Sequence, residues 1–301
     1  MALSTSINAG FSRAGTSPTA PLSHPRAFLR LAALFGVLAA MLGALIAARA
    51  TRRLSPRLYA RLRHFCKNGS TIRLITLMGG RIEIVGAPPR SPCLFVCNHL
   101  GYLDVMLLTA LLDPVCVAKS EIAGWPVLGK VCRLFDTIFI NRKRKRDLPR
   151  VISEMAAAIS EGRTVVFFPE GTSTPGATVL PFKSSLFEAG VRSAVDVHYA
   201  TLSYSVAAPA PPPQLSVCWW GDMPFAAHFY RLLTLPEFRI RLVFGAEPLK
   251  AHNRKALSTA IWHRMMDDFT PVGYHGASSD AALSRTTGAD TGFYFPNTAS
   301  G

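Results

Sequence analysis

Short apolar runs alternate with longer amphipathic stretches along most of the chain. Residues 93–97, 137–140 and 164–168 are apolar runs bounded by polar residues, which is typical of strands buried on both faces of a sheet. Residues 148–160 repeat their apolar positions at helical spacing. Because such strands alternate with helices, the pattern predicts an α/β sandwich with a mostly parallel sheet.

The pattern predicts further elements on either side of these runs. They are a β-hairpin over residues 72–85 that turns at Gly79-Gly80, a helix over 105–112, a strand over 115–118, strands after Ala194, near Ser216 and after Phe238, and a helix over 254–266. At 301 residues, one sizeable domain with extensions is expected.

The N-terminal quarter has a different pattern. Residues 31–48 carry no charge over eighteen positions, about the lower limit for crossing a bilayer. Seven basic residues and no acids follow between Arg49 and Lys67, and such a flank resists translocation and stays in the cytoplasm. The sequence therefore predicts an N-terminal membrane helix. A helix lying at the interface, an organelle transit peptide and a signal peptide remain alternatives.

The charge distribution supports the same picture. The net charge is +15, and residues 1–82 contain twelve Lys or Arg and no Asp or Glu. This excess predicts a polyanionic partner, either nucleic acid or an anionic membrane. The side chains expected among anionic headgroups are Arg49, Arg52, Arg53, Arg57, Arg61 and Arg63.

The six cysteines have no CxxC spacing, and Cys93 and Cys97 lie inside a predicted strand. We therefore expect reduced thiols that act as small buried hydrophobes in a cytosolic setting, and neither disulfides nor zinc ligands.

A boundary between a predicted strand and a predicted helix brings an imidazole close to a carboxylate in sequence. Asn98-His99 ends the run 93–97, and Asp104 stands where the next apolar run begins. Residues five apart on one helix point about 140° away from each other. His99 and Asp104 can therefore meet only if the chain turns, and Gly101 gives it the freedom to do so. Alternatively, Asp104 caps the helix and His99 is a structural histidine.

Two more polar clusters follow predicted strands. Arg142 opens a basic run after residues 137–140, and Glu170-Gly171-Thr172 follows 164–168. Since ligands collect where the strands of α/β sheets end, the three clusters are expected to share one face. Taken singly, the basic run would be interpreted as an ordinary solvated surface. Glu170-Gly171-Thr172 would be interpreted as a turn. Their joint occurrence favours a functional site.

These motifs resemble those of the glycerolipid acyltransferases, typified by 1-acylglycerol-3-phosphate acyltransferase. Asn98 to Asp104 resembles their Asn-His-x4-Asp signature, Phe168 to Thr172 their Phe-Pro-Glu-Gly-Thr block, and Ile138 to Arg142 the block between. The resemblance covers roughly residues 70–250. It implies the αβ-sandwich of that family. Together with the composition and charge of the flanking stretches, it predicts five regions: disordered 1–26, a membrane-anchoring helix 27–50, a basic juxtamembrane helix 51–70, an acyltransferase domain 71–270 and a disordered tail 271–301.

The resemblance also implies an activity, the transfer of a fatty acyl group from acyl-CoA or acyl carrier protein to the hydroxyl of a lysolipid. His99 would be the general base, and Asp104 would orient it and stabilise the imidazolium. The substrate-binding residues implied are Asn98, Arg142, Glu170, Gly171, Thr172 and Lys183. No cofactor other than the thioester co-substrate is expected. No metal is expected either, because His99 and Asp104 lack a convincing third ligand.

Three positions depart from the family pattern. Ser173 stands where an Arg often follows Glu-Gly-Thr, Asp136 replaces a Gly, and Ala200 replaces a Pro. The missing guanidinium removes a bidentate contact from a phosphate site. Residues 181–187 and 219–223 resemble the bacterial lyso-ornithine lipid acyltransferase branch. We therefore expect a lyso-ornithine lipid or similar acceptor, with 1-acylglycerol-3-phosphate as the alternative.

The expected location is a bacterial inner membrane, with the catalytic domain on the cytoplasmic side and an anionic membrane surface as a partner. Nucleic acid is not an expected partner, because no aromatic-basic recognition motif occurs. A non-catalytic basic membrane-binding protein is a second class of function. A lipid hydrolase is a third, and the lack of a Gly-x-Ser-x-Gly elbow argues against it.

Overall fold

A computed structural model describes residues 23–51, 55–90, 92–125 and 128–275. The helices are α1 His24–Thr51, α2 Pro56–Leu77, α3 Tyr102–Leu112, α4 Leu128–Leu134, α5 Leu148–Ser160, α6 Glu188–Ser193, α7 Pro213–Ser216, α8 Phe225–Thr234 and α9 Arg254–Asp268. The strands are β1 Gly80–Val85, β2 Leu94–Cys97, β3 Val115–Lys119, β4 Ile138–Ile140, β5 Val165–Phe167, β6 Val197–Ala207, β7 Phe238–Phe244 and β8 Gly273–His275. Short 3₁₀ helices cover Ser120–Gly124, Lys145–Asp147 and Ser184–Phe187.

The strands form one sheet in the order β1-β7-β6-β2-β5-β3-β4, with β8 also paired to β6. Among these strands of the described residues, every pairing is parallel except that of β6 with β7. Because β2, β5, β3 and β4 run in the same direction, their carboxyl ends lie at one edge of the sheet. The polar clusters that follow β2, β4 and β5 therefore emerge on the same side.

The apolar core lies on both faces of this sheet. Along β2, Phe95 and Cys97 point into one core cluster, and Leu94 and Val96 point into the other. Helices α1, α2, α3 and α8 cover the first face, and α5 and α9 cover the second. The predicted α/β sandwich with a mostly parallel sheet is thereby confirmed.

The hairpin predicted over residues 72–85 is wrong. Residues 72–77 instead complete α2, where Ile75 and Met78 are both buried and share one helical face. Gly79, with φ of 99°, follows the helix in a left-handed conformation that favours glycine. Strand β1 then begins at Gly80 and pairs with β7 in parallel. Alternation over so short a stretch does not separate a strand from the end of a helix.

Two smaller expectations also need correction. The strand predicted near Ser216 is the short helix α7, which begins at Pro213. Proline cannot donate to a sheet ladder but fits the first turn of a helix. Of the ends predicted to be disordered, 24–26 belong to α1 and 273–275 to β8, and the rest lies largely outside the described residues.

Helix α1 is bound to the globular domain at its beginning. The Arg30 guanidinium donates hydrogen bonds to the carbonyls of Leu233, Leu235 and Pro236, at 3.1, 2.6 and 2.8 Å, where α8 ends. Cations suit the carbonyl end of a helix. In the described part of the chain, α1 is a helix long and apolar enough to cross a membrane by length and composition. Its exposed apolar side chains include Phe28, Leu29, Phe35, Leu42 and Ile46.

The membrane role of α1 and the regional boundaries at residues 27, 51 and 71 remain predictions. Arg49 is exposed at the far end of α1, whereas the other five arginines expected among headgroups have no described side-chain placement.

Candidate active site

The candidate base and its partner meet across the turn between β2 and α3. The distance from His99 Nδ1 to Asp104 Oδ2 is 2.7 Å. The Asp104 side chain is fully buried, whereas 21% of the His99 side chain is exposed. An ionised carboxylate only accepts hydrogen bonds, so Nδ1 carries the proton and Nε2 is left with a free lone pair. The pair thus presents one basic nitrogen on the side of the ring away from Asp104.

The same Asp104 carboxylate also binds the main chain where α3 begins. Oδ2 accepts hydrogen bonds from the main-chain N–H groups of Leu100, at 2.6 Å, and Gly101, at 2.9 Å. The N-cap of α3 is Gly101 and Asp104 is the third residue of the helix, so the alternative that Asp104 is the N-cap is wrong, although its carboxylate does accept the N–H of the cap residue. Gly101 provides space as well, because a Cβ there would lie 3.0 Å from the backbone nitrogen of Trp219.

Tyr204 completes the surroundings of Asp104. It lies fully buried in β6, and its hydroxyl donates a hydrogen bond to Asp104 Oδ1. Burial and the nearby Asp104 charge raise the pKa of Tyr204, so the phenol stays protonated and remains a donor. Sequence reasoning missed this residue, because Tyr204 stands in an apolar strand, 100 positions from its partner.

Asn98 lies at the end of β2 and is bound to the neighbouring strand. Its Oδ1 accepts from the Leu202 N–H at 2.6 Å, and its Nδ2 donates to the Leu202 carbonyl at 2.9 Å. The side chain thus continues the β2–β6 ladder by one step and holds the turn that carries His99. The substrate contact predicted for Asn98 stays a prediction, and the structure shows this other use of its polar atoms.

Glu170 is likewise engaged inside the protein. Its carboxylate accepts the main-chain N–H of His99 at 2.7 Å and that of Leu180 at 2.9 Å, and the residue is 3% exposed. Burial raises the pKa of Glu170 to about 7, and the Asp104 charge adds to that effect, while the two backbone hydrogen bonds oppose it. Glu170 therefore links the end of β5 to the end of β2. Its contact with substrate also remains a prediction.

The Gly171 turn lies between two cations. The Arg142 guanidinium donates a hydrogen bond to the Gly171 carbonyl. Gly171 has φ of 72°, and a Cβ there would lie 2.7 Å from Lys183 Nζ. Thr172 is exposed, with its hydroxyl 3.4 Å from the Ser173 carbonyl. Position 173 carries no charge, yet the turn is flanked by the cations of Arg142 and Lys183.

Phe168 lines the site beside the candidate base. Its ring stacks on the His99 imidazole with centroids 4.1 Å apart. An aromatic face restricts the rotation of the imidazole and excludes water from one side of it. Phe168 was quoted in the motif but not predicted as a site residue, and its place directly after a buried strand was the available signal.

Comparisons with known proteins identify the family. The Acyltransferase family model matches residues 81–205. A lyso-ornithine lipid O-acyltransferase of Rhodobacter capsulatus is 34% identical over 193 residues, which are 62% of this chain and 69% of that protein. The chain belongs to the glycerolipid acyltransferase family. It is therefore an enzyme, an acyltransferase of the kind that acts on lysolipids.

Two further comparisons support the family and the fold of this acyltransferase. A 1-acyl-sn-glycerol-3-phosphate acyltransferase of Neisseria meningitidis is 30% identical over 182 residues, 59% of this chain and 70% of that protein. The crystal structure of the 1-acyl-sn-glycerophosphate acyltransferase of Thermotoga maritima has the same fold, with a TM-score of 0.62 at 16% identity, covering 81% of this chain and 95% of that one. The predicted family and fold class are confirmed.

The site of the acyltransferase contains a partly exposed imidazole and a buried carboxylate that is hydrogen-bonded to the imidazole Nδ1, groups that base catalysis can use. Within the described ranges, no group of three or more His, Cys, Asp or Glu side chains is placed to hold a metal ion. Within the same ranges, the cysteines at positions 93, 97, 116, 132 and 218 form no disulfide bond.

Proposed function

We propose that this acyltransferase transfers a fatty acyl group from a thioester donor to the hydroxyl of a lysolipid, with His99 as general base. The observation that carries this proposal is the 2.7 Å contact between His99 Nδ1 and Asp104 Oδ2. It supplies a basic Nε2 on a histidine whose side chain is accessible to substrate. The identity of the family supplies the reaction class.

The proposed chemistry is direct attack without an acyl-enzyme. His99 Nε2 takes the proton of the acceptor hydroxyl while that oxygen attacks the thioester carbonyl carbon, forming the new C–O bond. The tetrahedral intermediate collapses by breaking the C–S bond, and the departing thiolate receives the proton from His99. Asp104 stabilises the transient imidazolium through Nδ1. Base catalysis of this kind contributes about 10²–10⁴-fold.

The binding of the acceptor is proposed to involve the Gly171 turn. Arg142 and Lys183 flank that turn and suit an anionic headgroup. Thr172 is exposed beside them and offers a hydroxyl. We assign Asn98 and Glu170 to the support of this site, because their polar atoms are bound to Leu202, His99 and Leu180.

The acceptor is proposed to be a lyso-ornithine lipid or a similar lysolipid. Relatives named lyso-ornithine lipid O-acyltransferase include those of Rhodobacter capsulatus, at 34% identity, and Brucella abortus, at 33%. Ser173 removes one cation from the headgroup region. The alternative acceptor is 1-acylglycerol-3-phosphate, giving phosphatidic acid, and the relative from Neisseria meningitidis favours it.

The proposed location is a bacterial inner membrane, with α1 as the anchor and the catalytic domain on the cytoplasmic side. The exposed apolar side chains of α1 and the basic residues between 49 and 67 support this arrangement. An anionic membrane surface would then be a partner of the protein. The donor is acyl-CoA or acyl carrier protein, and transfer from each purified donor distinguishes them.

The decisive experiment compares the wild type with His99→Ala in membranes of an expression host. We expect both proteins to fold and to sediment with membranes, and only the wild type to transfer labelled acyl groups to a lysolipid. Transfer by His99→Ala at the wild-type rate would contradict the mechanism. Binding of lysolipids without turnover by the wild type would instead support the remote alternative, a non-catalytic basic membrane-binding protein.

Lipid profiling of cells with and without the gene identifies the acceptor. Accumulation of lyso-ornithine lipid with normal phosphatidic acid supports the proposed acceptor. Accumulation of 1-acylglycerol-3-phosphate supports the alternative.

A further inference from the structure

We infer that Tyr204 is a positioning residue of the acyltransferase, which orients the Asp104 carboxylate and limits how strongly the His99–Asp104 pair holds a proton. This inference rests on the proposed function, in which His99 is the base. It concerns a residue outside the motifs of the sequence, on a strand that contributes no other predicted site residue.

Both oxygens of the Asp104 carboxylate accept hydrogen bonds. Oδ2 receives His99 Nδ1–H and the main-chain N–H groups of Leu100 and Gly101. Oδ1 receives the hydroxyl of Tyr204. Both Asp104 and Tyr204 have no exposed surface, so water cannot replace this hydroxyl without entering the core. Tyr204 thus holds the second oxygen, and together with the three donors to Oδ2 it fixes the rotation of the whole carboxylate.

The hydroxyl also affects proton binding. A hydrogen bond donated to a carboxylate stabilises its charge and weakens its pull on a proton. Without that hydrogen bond, the His99–Asp104 pair binds a proton more tightly, whichever of the two side chains carries it. The pair then becomes protonated, and inactive as a base, at higher pH. Losing Tyr204 therefore has two separable effects, a poorly oriented base and a shifted acid limb of the pH profile.

Other titratable groups face this pair. Cys97 from β2 and Cys218 after α7 are buried, and burial raises the pKa of each thiol, so both stay neutral. Glu170 reaches the main chain of His99, and its pKa of about 7 places its titration within the range measured. Glu170 is present in all the proteins compared, and the opposite signs expected for Tyr204→Phe and for 3-fluorotyrosine distinguish the effect of Tyr204 from this titration.

The first test is Tyr204→Phe, which keeps the ring and removes the donor. We expect kcat to fall by about tenfold to a hundredfold, the range for losing a hydrogen bond to a charged group, with KM for both substrates within about twofold. The acid limb of kcat/KM should move upward by roughly half a pH unit to one unit.

Tyr199→Phe is the matched control. Tyr199 lies on the same strand, is 5% exposed, and donates its hydroxyl to another carboxylate, Asp268 Oδ2, at 3.2 Å. Its removal costs the same kind of hydrogen bond away from the candidate base. We expect the rate and the pH profile of Tyr199→Phe to match those of the wild type.

A second variant should shift the acid limb of the pH profile in the opposite direction. Incorporating 3-fluorotyrosine at position 204 keeps the hydroxyl and makes it a stronger donor, so the acid limb should move downward. This variant also decides the question if Tyr204→Phe does not fold.

Two results would overturn the inference while leaving the proposed function intact. One is that the wild type is active and Tyr204→Phe has the same kcat and pH profile as the wild type. If Tyr204→Phe is unfolded, the corresponding result is that the 3-fluorotyrosine variant has the wild-type kcat and pH profile. The other is a change in KM alone. An inactive wild type, by contrast, refutes the proposed function itself.

Discussion

Glu170 accepts a hydrogen bond from the main-chain N–H of His99 over 2.7 Å, although the motif suggested a residue at the substrate. The second oxygen of Glu170 accepts the Leu180 N–H at 2.9 Å. One buried carboxylate thus joins the ends of β2 and β5 to the chain that leads to Lys183. The position of the candidate base relative to the Gly171 turn depends on this link.

Glu170→Gln should destabilise the protein and lower its activity. A glutamine side chain has one acceptor oxygen, so its NH₂ group must face the N–H of either His99 or Leu180, at a cost of about 1–3 kcal/mol. Thermal unfolding in detergent measures the loss. Unchanged stability and activity would contradict the bridging role.

The stability difference between the wild type and Glu170→Gln should depend on pH. The pKa of Glu170 is about 7 in the folded protein and 4.5 ordinarily, so the folded state holds the proton over a range where the unfolded chain releases it. The contribution of Glu170 to stability is therefore complete below about pH 4.5 and is lost as the pH rises through about 7. The stability advantage of the wild type over Glu170→Gln, whose amide does not titrate, should shrink between about pH 4.5 and 7 and stay constant above that. A growing advantage would contradict the direction of the shift.

Gly171→Ala should impair acceptor binding more than it impairs folding. Its φ of 72° costs an alanine about 1–2 kcal/mol, and the new Cβ pushes Lys183 Nζ away from the turn. Gly162→Ala is the control, because Gly162 has φ of 80° with open space around its Cβ position.

Both variants should lose similar stability in thermal unfolding, since the displaced Lys183 atoms belong to a flexible side chain. Only Gly171→Ala should raise KM for the lysolipid, by several-fold or more. An equal KM for the lysolipid in the two variants would contradict a role of the Gly171 turn in acceptor binding.

Arg142→Ala should raise KM for the lysolipid. The guanidinium binds the Gly171 carbonyl and is proposed to face the headgroup, so its removal costs about tenfold to a hundredfold in kcat/KM. Arg144→Ala removes an exposed cation of the same basic run and should have little effect. Steady-state kinetics in mixed micelles measure both. A similar loss in both variants would indicate a general electrostatic effect of the basic run.

The residues of the dyad and much of the sheet were predictable from local pattern. Residues 148–160 form α5 as predicted, and the apolar runs at 93–97, 137–140 and 164–168 form β2, β4 and β5. Asp136 is also informative, since it replaces an expected glycine and has φ of 55°. Aspartate tolerates this left-handed conformation, so Asp136 can adopt the backbone conformation that a glycine would have at this position.

The apolar periodicity, the strand ends and the His99–Asp104 spacing could be read from the chain alone, because these are properties of neighbouring residues. The surroundings of the pair depend on the fold. Tyr204 reaches Asp104 across 100 positions, Glu170 reaches His99 across 71, and Asn98 reaches Leu202 across 104. These contacts exist because β6 and β5 lie on either side of β2, and strand order depends on the packing of the whole sheet.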